Sequence, residues 1–223
     1  MSPIDKPRKR VDNPPQKLQK SSRKWMYVAL VLIVIVIAAV AFVLFQNQPK
    51  NSQNNNESST GNPIAVIDTT MGTIKVELYT DKMPITTANF IKLANDGFYS
   101  GLVFHRIIDN FMIQGGGFYP NGTQKQDTYG PITLETSPEV LHVDGAISMA
   151  RLSSPTDSAT SQFFICDGAQ TSLDGQYAAF GKVIDGMDVV RVIASVTTTT
   201  KYGSYQNWPV DDVIINSIVI QNQ

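Results

Sequence analysis

A chain of 223 residues has room for one ordinary domain with a real core, together with appendages. Its single cysteine, Cys166, rules out an intrachain disulfide, and two histidines, His105 and His142, are too few for a Cys/His metal cluster. The net charge of −1 balances a basic N-terminus against an acidic remainder, and that remainder argues against nucleic-acid binding, which needs clustered Lys/Arg.

Residues 1–24 carry eight Lys/Arg against Asp5 and Asp12, a net +6. From Trp25 to Phe45, "WMYVALVLIVIVIAAVAFVLF", twenty-one residues pass without a charge. As a helix this run measures roughly 31 Å, enough for a hydrocarbon core. Trp25 and Tyr27 suit an interfacial position, and the basic residues all precede the run. The positive-inside rule then puts the N-terminus in the cytosol and everything after Phe45 outside. The expectation is an uncleaved signal anchor over 25–45 in the cell membrane; a signal cleaved at Ala39-Val40-Ala41, which would release the rest, is the rival. Residues 46–63, "QNQPKNSQNNNESSTGNP", are too polar to fold and read as a flexible linker reaching roughly 23 Å. Asn56-Glu57-Ser58 and Asn121-Gly122-Thr123 match the glycosylation sequon.

Residues 64–223 form the globular part, with nine basic and sixteen acidic residues, a net −7. "IAVIDTTMGTIKVELY" (64–79) predicts a hairpin around Thr70-Met71-Gly72. "PITTANFIKLANDG" (84–97) predicts a helix begun by Pro84 and ended by Gly97. Short strands follow over 102–108, 111–114, 131–134, 146–150, 161–166 and 178–184. A second helix is expected over 186–196 and a last strand over 211–220. Many short strands with two helices point to a closed barrel or a sandwich. Loops over 115–130 and 153–161 are long enough to carry function. Cys166, inside "QFFIC", reads as a small core residue, and the glycines 115–117 as points of close backbone approach. His105 reads as a structural, hydrogen-bonded histidine on the strand face opposite Arg106. His142 lies near Asp144 without a nucleophile in view, which weakens a Ser/His/Asp hydrolase reading.

Four separated stretches, "FHRIIDNFMIQGGG" (104–117), "ISMAR" (147–151), "SATSQFFIC" (158–166) and "SLDGQYAAFGKVIDGMDVV" (172–190), together resemble the cyclophilin family of peptidyl-prolyl cis–trans isomerases. The likeness runs from about Ile64 to Ile220. It implies a mainly β fold: a closed eight-stranded antiparallel barrel capped by two α-helices, with a substrate groove on its outer face. It implies Arg106, Phe111 and Gln114 as the catalytic set, and a proline pocket of Phe111, Met112, Phe164 and Leu173 with Tyr177 at the rim. Gln162 would orient the substrate backbone with Gln114, while Ala150 and Arg151 would line the adjoining groove. The implied partners are proline-containing polypeptides, with no cofactor and no metal. Ser172 stands where many family members carry tryptophan, Tyr177 where many carry histidine, and Arg151 where many carry asparagine. That tryptophan is associated with tight cyclosporin binding, so weak binding of the drug is expected here.

The alternative class is a non-catalytic proline-binding module or holdase on the same fold. A geometric problem also stands out. Strict alternation about an Asp109-Asn110 turn would put Phe111 and Ile113, rather than Met112 and Gln114, on the face of Arg106. A bulge in this hairpin is therefore expected.

Overall fold

The computed structural model describes residues 61–126 and 129–222, and the expectations for the basic tail, the anchor and most of the linker lie outside these. Among the described residues no helix is long and apolar enough to cross a membrane. The end of the expected linker already belongs to the domain. The Asn62 side-chain amide donates to Glu77 at 2.9 Å, and the Leu78 N–H donates to the Pro63 carbonyl at 2.9 Å.

Among the described residues ten strands form in chain order: β1 (Ile64–Thr69), β2 (Gly72–Leu78), β3 (Leu102–Ile108), β4 (Met112–Phe118), β5 (Ala146–Met149), β6 (Phe163–Cys166), β7 (Ala179–Asp185), β8 (Thr198–Lys201), β9 (Tyr205–Pro209) and β10 (Ile214–Gln221). Eight of them close into an antiparallel barrel in the order β1-β10-β3-β4-β6-β5-β7-β2, as the resemblance implied, while β8 and β9 make a separate ribbon. Two helices join them, α1 (Pro84–Asn95) and α2 (Met187–Ala194), with a 3₁₀ turn at Thr171–Leu173. The 131–134 run contributes only an isolated bridge between Ile132 and Ala159. The ribbon was not expected; its strands are polar and mostly exposed, and it is held down by the fully buried Trp208, whose indole N–H donates to Asp212 at 2.9 Å.

The barrel interior is filled by side chains at alternate strand positions, among them Ile67, Ile74, Val76, Phe104, Phe163 and Phe180. Helix α1 closes one end. Its Phe90 ring lies 5.3 Å from Tyr99, 5.4 Å from Phe163 and 5.2 Å from Phe180, so one aromatic from the helix locks onto the barrel core. Met83 supplies no side-chain cap to α1. Glu135 does so from a distant loop, accepting the N–H of Ile85 at 3.3 Å and of Thr86 at 2.9 Å.

The expected bulge exists, but it is not what gathers the site. Asp109, Asn110 and Phe111 form a three-residue connection rather than a two-residue turn, with Asn110 in the left-handed region at φ 56°. Ile108 then pairs with Met112 and Arg106 with Gln114, so parity alone puts Arg106, Met112 and Gln114 on one face. The register shifts lie further along, between Phe104 and Arg106 and between Val103 and Phe104. Phe104 and Ile107 both point into the core, so His105 and Arg106 between them both turn outward. This corrects the expectation that His105 faces away from Arg106. Gly116, at φ 81°, makes the compensating irregularity on β4, where an added Cβ would stand 3.0 Å from Phe163, Tyr99 and the Ser161 carbonyl.

His105 lies against Phe118 (4.6 Å between centroids) and Trp208 (5.9 Å), and its Nδ1 has no hydrogen-bond partner among the described residues. Burial pushes its pKa down to about 4 from an ordinary 6.5. The folded state therefore binds fewer protons than the unfolded chain between those values. The stability this group contributes is present above pH 6.5 and lost as pH falls toward 4, roughly 3 kcal/mol in all. Chemical denaturation at pH 7 and pH 4 tests this: His105→Phe, which cannot titrate, should lose less stability over that interval than the wild type by roughly 2–3 kcal/mol.

Candidate active site

Four neighbouring strands, β3, β4, β6 and β5, carry core on one side and a second, smaller apolar cluster on the other. Arg106 pairs with Gln114, Gln114 with Phe164, and Phe164 with Ser148, so these four residues form one cross-strand row on the outer face. The next row sets Ile108, Met112 and Cys166 side by side. Phe111 from the β3–β4 connection, Leu173 from the 3₁₀ turn and Tyr177 beyond it complete the cluster.

A hollow of about 150 Å³ opens there, lined by Arg106, Phe111, Met112, Gln114, Ala150, Arg151, Phe164, Leu173 and Tyr177. That is nine of the ten site residues expected from the sequence. Its size suits a small ring rather than a drug-sized ligand. The tenth, Gln162, lies beside it and accepts a hydrogen bond from the Gln114 amide at 3.0 Å. Gly117 makes room for that side chain: a Cβ there would stand 2.6 Å from it. Ser172 is exposed and does not line the hollow.

Arg106 is half-buried and makes no salt bridge to any described residue. Its Nη1 has two long contacts, 3.4 Å to Gln114 Oε1 and 3.9 Å to the Met112 sulfur, and its guanidinium lies 5.8 Å from the centre of the Phe111 ring. Burial lowers its pKa, though an arginine keeps its charge through any ordinary pH. Arg151, in contrast, is committed: its Nε donates to the Gln176 carbonyl at 2.7 Å, its Nη1 to the Leu152 carbonyl at 2.7 Å, and it lies 4.8 Å from the Tyr177 ring.

Sequence reasoning missed what stands behind Phe164. His142, almost fully buried, takes Asp174 rather than Asp144 as its partner: its backbone N–H and Nδ1 lie 2.7 and 2.9 Å from Asp174 Oδ1. Its Nε2 is 3.0 Å from Ser148 Oγ. Burial lowers the His142 pKa, and hydrogen bonds from His142 lower that of Asp174 against the effect of its own burial. A neutral imidazole beside a carboxylate puts its proton on Nδ1, so Nε2 accepts from the Ser148 hydroxyl. The His142 ring lies nearly parallel to Phe164, 6.0 Å away at 14°. The order Asp–His–Ser looks like a hydrolase triad, but Ser148 is fully buried and no substrate carbonyl can approach its oxygen. Asp174 in "SLDG" and Ser148 in "ISM" were in view as motif letters, yet nothing in the sequence paired them with His142.

Similarity to known proteins decides the family. Residues 64–220 match the sequence profile of the cyclophilin type peptidyl-prolyl cis-trans isomerase/CLD family. The chain belongs to the cyclophilin-type peptidyl-prolyl cis–trans isomerases. A peptidyl-prolyl cis-trans isomerase of Acinetobacter baylyi is 47% identical over 166 residues, 72% of this chain and 87% of that one. Peptidyl-prolyl cis-trans isomerase B of Escherichia coli is 40% identical over 160 residues, 68% of this chain and 96% of that one. Among solved structures, a Cryptosporidium parvum cyclophilin type isomerase determined in the presence of the dipeptide Ala-Pro superposes with a TM-score of 0.64 at 34% identity, covering 72% of this chain and 99% of the other. The cyclophilin barrel, and with it isomerase membership, thus spans the described domain. Cys166 sits under the hollow as a fully buried thiol whose pKa burial raises to about 12, so it stays protonated at ordinary pH.

Proposed function

We propose that this domain accelerates rotation about X–Pro bonds by directing the Arg106 guanidinium at the prolyl nitrogen. The barrier to that rotation is about 18–20 kcal/mol, because amide resonance must be broken. Millisecond turnover requires acceleration of about 10⁴–10⁵-fold, or ~5.5–7 kcal/mol. No bond is made or cut and no proton leaves, so a base or nucleophile has nothing to do. At the half-turned geometry the nitrogen regains a localised lone pair. A fixed cationic donor there stabilises the twisted state more than the planar ground state, which is the condition for catalysis.

The observation that carries this reading is the surroundings of Arg106. Its two protein contacts are long, its walls are Phe111, Met112 and Phe164, and a small-ring hollow lies beside it. An apolar wall lowers the local dielectric and strengthens the interaction. In this scheme Phe111, Met112, Phe164 and Leu173 hold the proline ring and Tyr177 closes the rim. The Gln114–Gln162 pair presents amide groups to the substrate backbone, and Ala150 and Arg151 border the groove alongside. The Ala-Pro dipeptide present with the Cryptosporidium relative supports the same ligand class.

The setting is proposed from the N-terminal sequence: a single-pass anchor over 25–45, the N-terminus cytosolic, the isomerase domain outside, and exported or cell-surface polypeptides as substrates. Weak cyclosporin binding belongs to the same reading, because Ser172 offers no indole.

A protease-coupled assay on an X–Pro peptide tests the mechanism. Arg106→Ala should lower kcat/KM by about 10²–10³-fold, the usual loss when one preorganised donor is removed. Equal, slow rates for both proteins with peptide binding retained would instead identify a binding module. In the same assay cyclosporin should inhibit only weakly, and tight inhibition would show that Ser172 is not limiting. Membrane fractionation with added protease should find the domain membrane-bound and cleavable from outside; a soluble, shortened form would identify the segment as a cleaved signal.

A further inference from the structure

The three-residue connection between β3 and β4 carries Phe111 and sets the parity that gathers the site, and it is held from outside the hollow. Asp167, directly after β6, has a side chain only 4% exposed. Its Oδ2 accepts the Asn110 N–H at 2.8 Å, and its own N–H donates to the Phe111 carbonyl at 3.0 Å. The Gln170 side-chain amide donates to the Asn110 carbonyl at 3.1 Å. Three bonds from one turn therefore fix the residue in left-handed backbone and the aromatic that follows it. A carboxylate buried to this degree needs a counter-charge. Arg191 of α2 supplies it: Nη1 donates to Asp167 Oδ1, while Nη2 donates to Asp144 Oδ2 at 2.7 Å. Asp144 in turn accepts the Gly168 N–H at 2.8 Å, so one guanidinium ties both ends of the 167–168 turn.

Resting on the isomerase reading above, we propose that Arg191 and Asp167 are positioning residues. They form a clamp from helix α2 that holds the Asn110–Phe111 backbone and so keeps Phe111 beside Arg106. Neither side chain lines the hollow, so each acts through the connection and not on the substrate. Without the guanidinium, the Asp167 carboxylate is drawn toward water and releases the Asn110 amide. Phe111 then samples positions away from the guanidinium it lies against.

The test uses the full chain with Arg191→Met and Arg191→Lys, read by X–Pro isomerisation and by hydrogen exchange at the Asn110 amide. Arg191 is half-exposed, so both variants leave the core intact. Arg191→Met should lower kcat/KM about tenfold and speed Asn110 exchange by at least about tenfold, with barrel amides unchanged. Arg191→Lys, which keeps the charge but not the fork that reaches both carboxylates, should fall between Arg191→Met and the wild type in both readouts. Wild-type activity in Arg191→Met, or lost activity with unchanged Asn110 exchange, would overturn the clamp. Arg106→Ala assayed alongside separates the two claims. If that variant stays active the isomerase mechanism is wrong, while the exchange at Asn110 still decides whether Arg191 holds the connection.

Discussion

A cation is kept at the wall of an apolar hollow by the register of four strands. The row Arg106–Gln114–Phe164–Ser148 crosses β3, β4, β6 and β5, and each member's place follows from its strand pairing. On the reverse of the same strands Phe104, Ile113, Phe163 and Ile147 fill the barrel. A slip of one residue in any of these pairings would carry a site residue inward and a core residue outward, at the expense of both. For the residues of this row, stability and site geometry are thus one constraint.

The polar groups around the hollow divide by how far their bonding capacity is used. Arg151 is spent on two backbone carbonyls, Asp174 and Ser148 on His142, and Asp167 on Asn110 and Arg191. Arg106 has only long contacts to a sulfur and an amide oxygen. Satisfied groups hold shape; in the proposed mechanism the under-satisfied cation beside an apolar ring-sized space is the group that meets the developing lone pair. The domain carries a net negative charge, yet Asp167, Asp174 and Asp144 are each paired with other groups, and no described carboxylate forms a salt bridge with Arg106.

Much of this was legible in the sequence because strand periodicity and four ordered motifs point the same way. The 64–79 hairpin, both helices and all nine residues that line the hollow follow from them. What escaped is either local parity or long-range pairing. Asp109-Asn110 looks like a two-residue turn, and only the extra residue, Phe111, in the connection puts Met112 and Gln114 with Arg106. His105 could not be placed beside Arg106 until two strand positions were seen to share a face. The β8–β9 ribbon lacks alternation and depends on one buried tryptophan. Glu135 at α1, Asp174 at His142 and Asp167 at Asn110 join residues 32 to 57 positions apart, and no spacing rule announces such bonds.

The central claim is that the planar, preaimed guanidinium, and not positive charge alone, lowers the rotation barrier. Arg106→Lys keeps the charge but loses the fork and its reach. Magnetisation-exchange NMR between the cis and trans forms of an Ala-Pro peptide, with each protein at saturation, isolates the turnover step from binding. The account predicts that peptide affinity stays within a few-fold while the exchange rate falls by at least about tenfold. Exchange as fast with lysine as with arginine would contradict it.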